Sequence, residues 1–445
     1  MTVQIRQVRS VAVLVALLAF SPAVAHADVV LQWNEIAVRT LTTQAPSVNP
    51  FAQARFAAIV QLAVFEAVNA ITRDYEPYLG SAAAPTGAPI IAAAGASVEA
   101  AAISAAHAVL VQYFAGNAVT LNAARDAALA SIPAGAAKSN GIAAGLAAAA
   151  AMIAQRVADG SSPLTFYQPP APLQPGGWSG TPGCPTDLSG NPLGGTLLNW
   201  RDVKPFGVAV PSEGHWNAPF RPAPPPALTS NEYAKDYNEV QAKGGADSTS
   251  RTADRAMVAR FYAVASPTSV FHAAARQLAA ARGDSLADNA RNLALVSIAT
   301  SDSLVASFET KYHYNFWRPS TAIRAGDQDG NRKTDPDTNF ATFLVTPCFP
   351  SYPSNHASGS NGAAETMRRI YGAAGHSITL SGVVPVVGAV TLHYTSLQQI
   401  CDDIDDARIY GGMHFRFDQV AGVRLGRQVA TYVYKNNLQR SSRSN

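Results

Sequence analysis

Through residues 28–160 apolar side chains recur at helical spacing. Phe56, Ile59, Val60, Ala63 and Val64 fall three and four apart, and almost nothing alternates with period two. Alanine fills much of this run; it is the best helix former, and its small side chain lets helices approach closely. Helices are predicted over 29–43, 50–71, 90–114, 119–132 and 136–158. Dense proline and glycine then break the pattern over 161–228, where Phe166, Tyr167, Trp178, Trp200 and Trp216 favour an ordered loop lying over the protein rather than a free linker. Helical periodicity returns over 232–243, 252–264, 270–282 and 285–317. A turn-rich segment, 326–353, follows, with further helices over 355–371 and 414–434. The expected fold class is all-α: two adjoining helix bundles, with the active site in the C-terminal one.

Composition narrows the classes further. Of 445 residues, 48% are hydrophobic and 14% charged, which excludes intrinsic disorder. The 32 glycines and 29 prolines follow no triplet period, so a collagen-like chain is excluded as well. A net charge of +3 is too slight to argue for nucleic acid, and the basic stretch from Lys435 to Arg443 reads as a frayed end. Arg6 and Arg9, the apolar stretch 11–20 and Ala25-His26-Ala27 read as a secretory signal cleaved near Ala27, which makes the protein secreted or periplasmic. Cleavage would remove two basic side chains and no acidic ones, lowering the side-chain balance from +3 to +1. The apolar stretches 90–111 and 142–153 read as buried or amphipathic helices, with no stable membrane span, since Glu99 and His107 interrupt the first. A large apolar helical surface leaves room for a homodimer. Cys184, Cys348 and Cys401 allow at most one internal disulfide, whose pairing the sequence leaves open. The expected organisation is a signal peptide, 1–27; an N-terminal helical region, 28–160; the loop segment, 161–228; a C-terminal helical domain, 229–436; and a polar tail, 437–445. Asp327-Gln328-Asp329-Gly330-Asn331 has a calcium-loop look, but Arg332 and Thr338 stand where an EF-hand needs Gly and Glu, so an ordinary turn is expected.

Three segments of the last third carry chemistry. In the first, Lys311 and Arg318 lie seven apart, so on one helix both cations point the same way, with Pro319 ending or kinking that helix. Such a pair is unfavourable unless an anion sits between them or Glu309 and Asp302 neutralise them. In the second, Ser354 is placed as an N-cap and Asn355-His356 open the helix it starts. A helix N-terminus offers free N–H groups to an oxyanion, and its dipole disfavours protonation of His356, leaving it available as a base. In the third, Gly411-Gly412 separates Arg408 from His414, and Asp418 lies one helical turn on, placed to orient the His414 imidazole. Phe415 and Phe417 read as core. Together the segments supply three cations, a helix N-terminus and two histidines, the inventory for a tetrahedral oxyanion.

These segments resemble the Lys-x6-Arg-Pro, Pro-Ser-Gly-His and Ser-Arg-x5-His signature shared by vanadium-dependent haloperoxidases and type-2 phosphatidic acid phosphatases, in the same order. Trp33-Asn34-Glu35, the stretch from Pro224 through Val240, and Arg318-Pro319-Ser320-Thr321-Ala322-Ile323-Arg324 look like the secreted haloperoxidase-like branch, so the resemblance covers most of the mature chain. Two positions depart from the signature: Asn355 stands in place of Gly, and Ala407 in place of Ser. The resemblance implies that His414 binds the metal of a vanadate cofactor. It implies that Lys311, Arg318, Arg408, Ser354 and the Asn355 backbone hold the oxygens, and that His356 takes a proton from hydrogen peroxide. The activity implied is oxidation of halide to a hypohalous acid equivalent that reacts with an organic acceptor, the vanadium acting as a Lewis acid at constant oxidation state. Phe349 matches a position tied to halide preference and leans toward the chloride-oxidising pattern. Two alternatives stand beside this reading. One is a secreted acid phosphatase with no cofactor, using His414 as nucleophile through a phosphohistidine and His356 as acid. The other is a non-catalytic phosphate-binding helical protein.

Overall fold

The structure, a computed structural model, describes residues 28–44, 48–182, 184–211 and 215–442. The leader 1–27 and the last three residues of the tail lie outside the described residues. In the N-terminal half, α1 (Val29–Arg39) is capped by Asp28, whose carboxylate accepts the Val30 and Leu31 N–H groups. Asn49 caps α2 (Pro50–Thr72) in the same way, and α3 (Val98–Tyr113), α4 (Ala118–Ala130) and α5 (Ala136–Ala154) complete this half. The C-terminal half holds α6 (Asn231–Gly244), α7 (Ala253–Val264), α8 (Pro267–Arg282), α9 (Leu286–Tyr314) and α10 (Pro319–Arg324). It continues with α11 (Asn355–Tyr371), an antiparallel pair β1 (Ala374–Val384) and β2 (Gly388–Ser396), α12 (Leu397–Tyr410) and α13 (Arg416–Asn436). Among the described residues the chain is therefore all-α apart from one hairpin.

The two halves share one hydrophobic core. In it α2 packs along α9, and α9 also carries α11 and α13. By length and apolarity alone α2 and α5 could each cross a membrane; 83% of the apolar stretch of α2 is buried inside the protein, against 33% for α5. Helices α11 and α13 approach at glycine: a Cβ on Gly426 would lie 2.2 Å from the Ser358 carbonyl oxygen, and one on Gly422 would lie 2.6 Å from that of Ser354. This contact fixes the start of α11, where the candidate site lies.

The described residues of 161–228 run over the surface as a strap anchored by buried Trp178, Trp200 and Trp216. Each such side chain contributes roughly 1.5–3 kcal/mol on burial. The Asp302 carboxylate of α9 accepts the Phe206 and Gly207 N–H groups at 2.8 and 2.7 Å. A disulfide joins Cys184 in the strap to Cys348, and Cys401 is a buried free thiol. The sequence left that pairing open.

Several expected elements shift. Residues 90–97 are not helical, because α3 begins only after its N-cap, Ser97. The hairpin was not expected, although Ile378, Leu380 and Val384 on one strand alternate inward and Val390 and Tyr394 on the other do the same. The helix predicted over 285–317 stops at Tyr314, with Asn315 in the left-handed region at φ 50°. Lys311 and Arg318 therefore do not share one helix face; Arg318 is instead the residue before α10. At the calcium-like turn, Asp329 takes the Thr334 hydroxyl and the Asn331 N–H, closing an ordinary turn.

Candidate functional site

One loop, residues 349–354, gathers the site. Lys311, on the last turn of α9 and fully buried, donates to the carbonyls of Pro350, Ser351 and Pro353 at 2.8, 2.6 and 2.5 Å. Arg318 donates from Nε to the Phe349 carbonyl at 2.8 Å and from Nη1 to the Met413 carbonyl at 2.9 Å. The Phe349 ring centroid lies 5.3 Å from Lys311 Nζ and 5.1 Å from Arg318 Cζ, so one aromatic ring abuts both cations. The loop is closed by Ser351 N–H donating to the Phe316 carbonyl and by Ser354 N–H donating to that of Asp418. Ser354 Oγ caps α11 by accepting the Ala357 N–H at 3.3 Å, leaving its own proton available to a further acceptor.

Opposite this loop, Arg408 sits on the last turn of α12, and Gly411-Gly412 turns the chain so that His414 arrives just ahead of α13. Gly412 has φ 79°, and a Cβ there would lie 2.4 Å from the Gly244 carbonyl oxygen, so the turn requires glycine. The Asp418 Oδ2 atom accepts from His414 Nδ1 at 2.9 Å, from Ser351 Oγ at 2.6 Å and from the Phe415 N–H at 3.1 Å. With its Nδ1 proton committed to Asp418, His414 presents a lone pair at Nε2, toward which Arg318 Nη1 donates at 3.1 Å. The tautomer follows from this network.

The electrostatics are unusual for an interior. Lys311, Arg318 and Arg408 are all buried, and Asp418 is the carboxylate that answers them. The two acidic candidates on α9 are engaged elsewhere: Glu309 pairs with Arg221, and Asp302 holds the strap. Burial pulls Arg318 down to about 9 and Arg408 to about 10, and it draws the Lys311 ammonium well below its usual value. Burial also pushes Asp418 up to about 6. The histidines fall well below the usual imidazole value. For His356 the cause is first desolvation and then the Arg408 charge; for His414 it is desolvation and then Arg318. Both rings are neutral near pH 7.

The polar atoms left without partners identify the kind of ligand that fits. Among the described residues Arg318 Nη2, Arg408 Nε and Asn355 Nδ2 are buried donors with no acceptor. Such groups are costly unless satisfied. Three donor side chains, a helix N-terminus and excess positive charge suit a tetrahedral oxyanion, and the His414 Nε2 lone pair adds a ligand for a metal at its centre. Vanadate fits this set. In this arrangement all three Lys311 protons lie on carbonyls, so its ammonium shapes the loop and supplies charge more than it offers a free donor.

A cavity of about 550 Å³ opens onto these groups, lined by Asn355, His356, Arg408, Met413 and His414 at its polar end. Its apolar wall includes Phe51, Leu197, Pro267, Leu304, Leu344 and Phe349. Phe349 meets Phe308 edge-to-face at 5.3 Å and Phe51 likewise at 6.0 Å. Asn49, Pro50 and Phe51 belong to the start of α2, so the N-terminal half contributes to a site expected in the C-terminal bundle alone. Sequence reasoning gave no role to Ser351, Met413 and Phe51: Ser351 lies just ahead of the second segment, Met413 lies inside the third with no spacing of its own, and Phe51 reads simply as the first apolar residue of a helix. For Asn355 it considered only the backbone, whereas the side chain also acts, its Oδ1 accepting the Ser307 hydroxyl at 2.5 Å while Nδ2 remains unpaired.

Residues 291–442 match the family model described as the VCPO second helical-bundle domain. Over 91 residues the chain is 35% identical to the vanadium chloroperoxidase of Curvularia inaequalis. That stretch is 19% of this chain and 15% of the relative, so the match spans well under two thirds of the relative's length. The fold is similar to that of a bacterial vanadium-dependent iodoperoxidase, with TM-score 0.76 and 22% identity, covering 93% of this chain and 98% of the other. It is also similar to an apo-type bacterial vanadium-dependent chloroperoxidase, with TM-score 0.69 and 16% identity, covering 90% and 96% of the two chains.

Proposed function

We propose that the chain, whose residues 291–442 match a vanadium haloperoxidase domain, is a vanadate-dependent enzyme using hydrogen peroxide to oxidise halide to a hypohalous acid equivalent. The single observation carrying this reading is the buried set of unpaired donors, Arg318 Nη2, Arg408 Nε and Asn355 Nδ2, together with a His414 Nε2 lone pair fixed by Asp418. When bound, vanadate supplies a Lewis-acidic centre that makes peroxide oxygen electrophilic toward halide. His414 Nε2 would ligate the metal, and Arg318, Arg408, Ser354 and Asn355 would hold the oxygens. Lys311 would contribute charge from behind the loop. His356, neutral and half-buried at the cavity wall, would accept a proton from entering peroxide at an imidazole nitrogen. The apolar wall around Phe51 and Phe349 suits an organic acceptor and limits water at the polar end. Export after cleavage near Ala27 fits the Cys184–Cys348 disulfide, which an oxidising compartment favours.

A phosphatase would use the same Nε2 lone pair as nucleophile. The likeness across both halves of the chain favours the haloperoxidase reading. Protein reconstituted with orthovanadate is expected to brominate a phenolic dye with peroxide and bromide, and to do so only with vanadate. Failure to brominate, with cleavage of p-nitrophenyl phosphate inhibited by vanadate, would replace this reading with the phosphatase. Absence of both activities, with phosphate bound equally by wild type and His414→Ala, would leave a binding protein.

A further inference from the structure

One side chain at the polar end of the cavity neither holds an anion nor moves a proton. Met413 lines the cavity beside His414 and is 2% exposed. Its Sδ accepts a hydrogen bond from Arg408 Nη2 at 3.1 Å. Its terminal methyl sits against the turn, where a Cβ on Gly411 would come within 2.7 Å of it. A thioether is a weak acceptor, and a buried guanidinium gains little from it. Arg408 Nε, on the same guanidinium, has no partner among the described residues.

We infer that Met413 is an oxidative modification site: peroxide admitted to the cavity converts its thioether to a sulfoxide, and the new S=O oxygen captures Arg408 at the expense of the oxyanion. The inference rests on the reading above in one respect, that peroxide is the co-substrate brought to this cavity. In the step itself a sulfur lone pair attacks one peroxide oxygen and the O–O bond breaks. Sulfur is oxidised by two electrons, and the proton of the transferred oxygen passes to the departing hydroxide, which leaves as water. A sulfoxide is polar and a far stronger acceptor than a thioether. Placed within hydrogen-bond distance of Arg408, it turns a weak contact into a charge-assisted bond and takes one of the three cations away from the anion. The other described methionines provide internal controls. Met152 and Met367 are fully buried in the core, and Met257 is half-buried; neither the core pair nor Met257 lines this cavity.

The test needs no vanadate. Full-length protein is exposed to hydrogen peroxide, with and without saturating phosphate, and digested; each methionine peptide is then followed by mass spectrometry. Met413 is expected to gain one oxygen ahead of Met152 and Met367, with phosphate slowing it while leaving Met257 unchanged. After exposure, wild type is expected to bind phosphate about tenfold more weakly, the loss of roughly one charge-assisted bond. Met413→Leu, a swap of similar volume, is expected to keep the affinity it had before exposure. Oxidation of Met413 no faster than of the two core methionines would overturn the inference. So would an equal loss of phosphate affinity in wild type and Met413→Leu. Dye bromination is measured separately, so a failure of the haloperoxidase reading is visible independently of the fate of Met413.

Discussion

Replacing Asp418 by asparagine separates the two things this carboxylate does, which are orienting His414 and opposing the cations. Asparagine can place its oxygen where Oδ2 lies and keep all three bonds, from His414 Nδ1, Ser351 Oγ and the Phe415 N–H. Its amide nitrogen then falls where Oδ1 has no partner, so the fold is kept at a cost of about 1–3 kcal/mol. The 2.9 Å bond to Nδ1 changes from charge-assisted to neutral. That difference is about 1–1.5 kcal/mol, or roughly tenfold in an equilibrium constant. It falls on the basicity of Nε2, which matters to a ligand that coordinates through a metal and not to phosphate. Vanadate affinity is therefore expected to fall about 10- to 100-fold. Phosphate affinity is expected to hold or rise, because a negative charge beside the anion has been removed. Titration calorimetry of wild type and Asp418→Asn with each anion, alongside thermal unfolding to verify the fold, reads this directly. A fall by the same factor for both anions, or no change for vanadate, would refute the view that Asp418 acts through the His414 ring nitrogen.

Asp302→Asn sets an amide NH₂ against one of the Phe206 and Gly207 N–H donors; a loss of about 1–3 kcal/mol is expected, seen as altered tryptophan emission and faster proteolysis within 161–228. Gly426→Ala drives a methyl to within 2.2 Å of the Ser358 carbonyl oxygen and is expected to cost about 1–3 kcal/mol by separating α11 from α13; an unchanged Tm would show that the contact yields freely. Burial pushes Glu66 up to about 7, against the opposing pull of the Tyr78 and Leu79 N–H groups. Because its folded value lies above its unfolded one, its stabilisation is complete below the usual glutamate range and is lost as pH rises through about 7. Urea unfolding at pH 5 and pH 8 is expected to show wild type losing up to about 3 kcal/mol relative to Glu66→Gln, which has no proton to release.

Much of the architecture was legible because it rests on local rules. The cap at Ser354 and the apolar spacing of α2 and α9 arise within a few residues of chain. Where those rules were silent, the reading slipped. The helix carrying Lys311 was extended past Asn315, whose left-handed conformation ends it, and the hairpin was passed over because its alternation is short and polar on one side.

The sequence by itself determined the helical class, the kinds of side chain at the site and their order, since periodicity and residue chemistry are properties of the chain. Tertiary structure alone decided which of those side chains are left unpaired. It spent the three Lys311 protons on carbonyls, and it brought Arg318 in from the residue before a new helix rather than from the Lys311 face. It joined Cys184 to Cys348 and set Phe51 from the N-terminal half against Phe349. It also placed the Met413 sulfur on Arg408. The physical reason is that hydrogen-bond satisfaction and burial depend on which groups meet in space, and groups from opposite ends of the chain meet only once the core has closed.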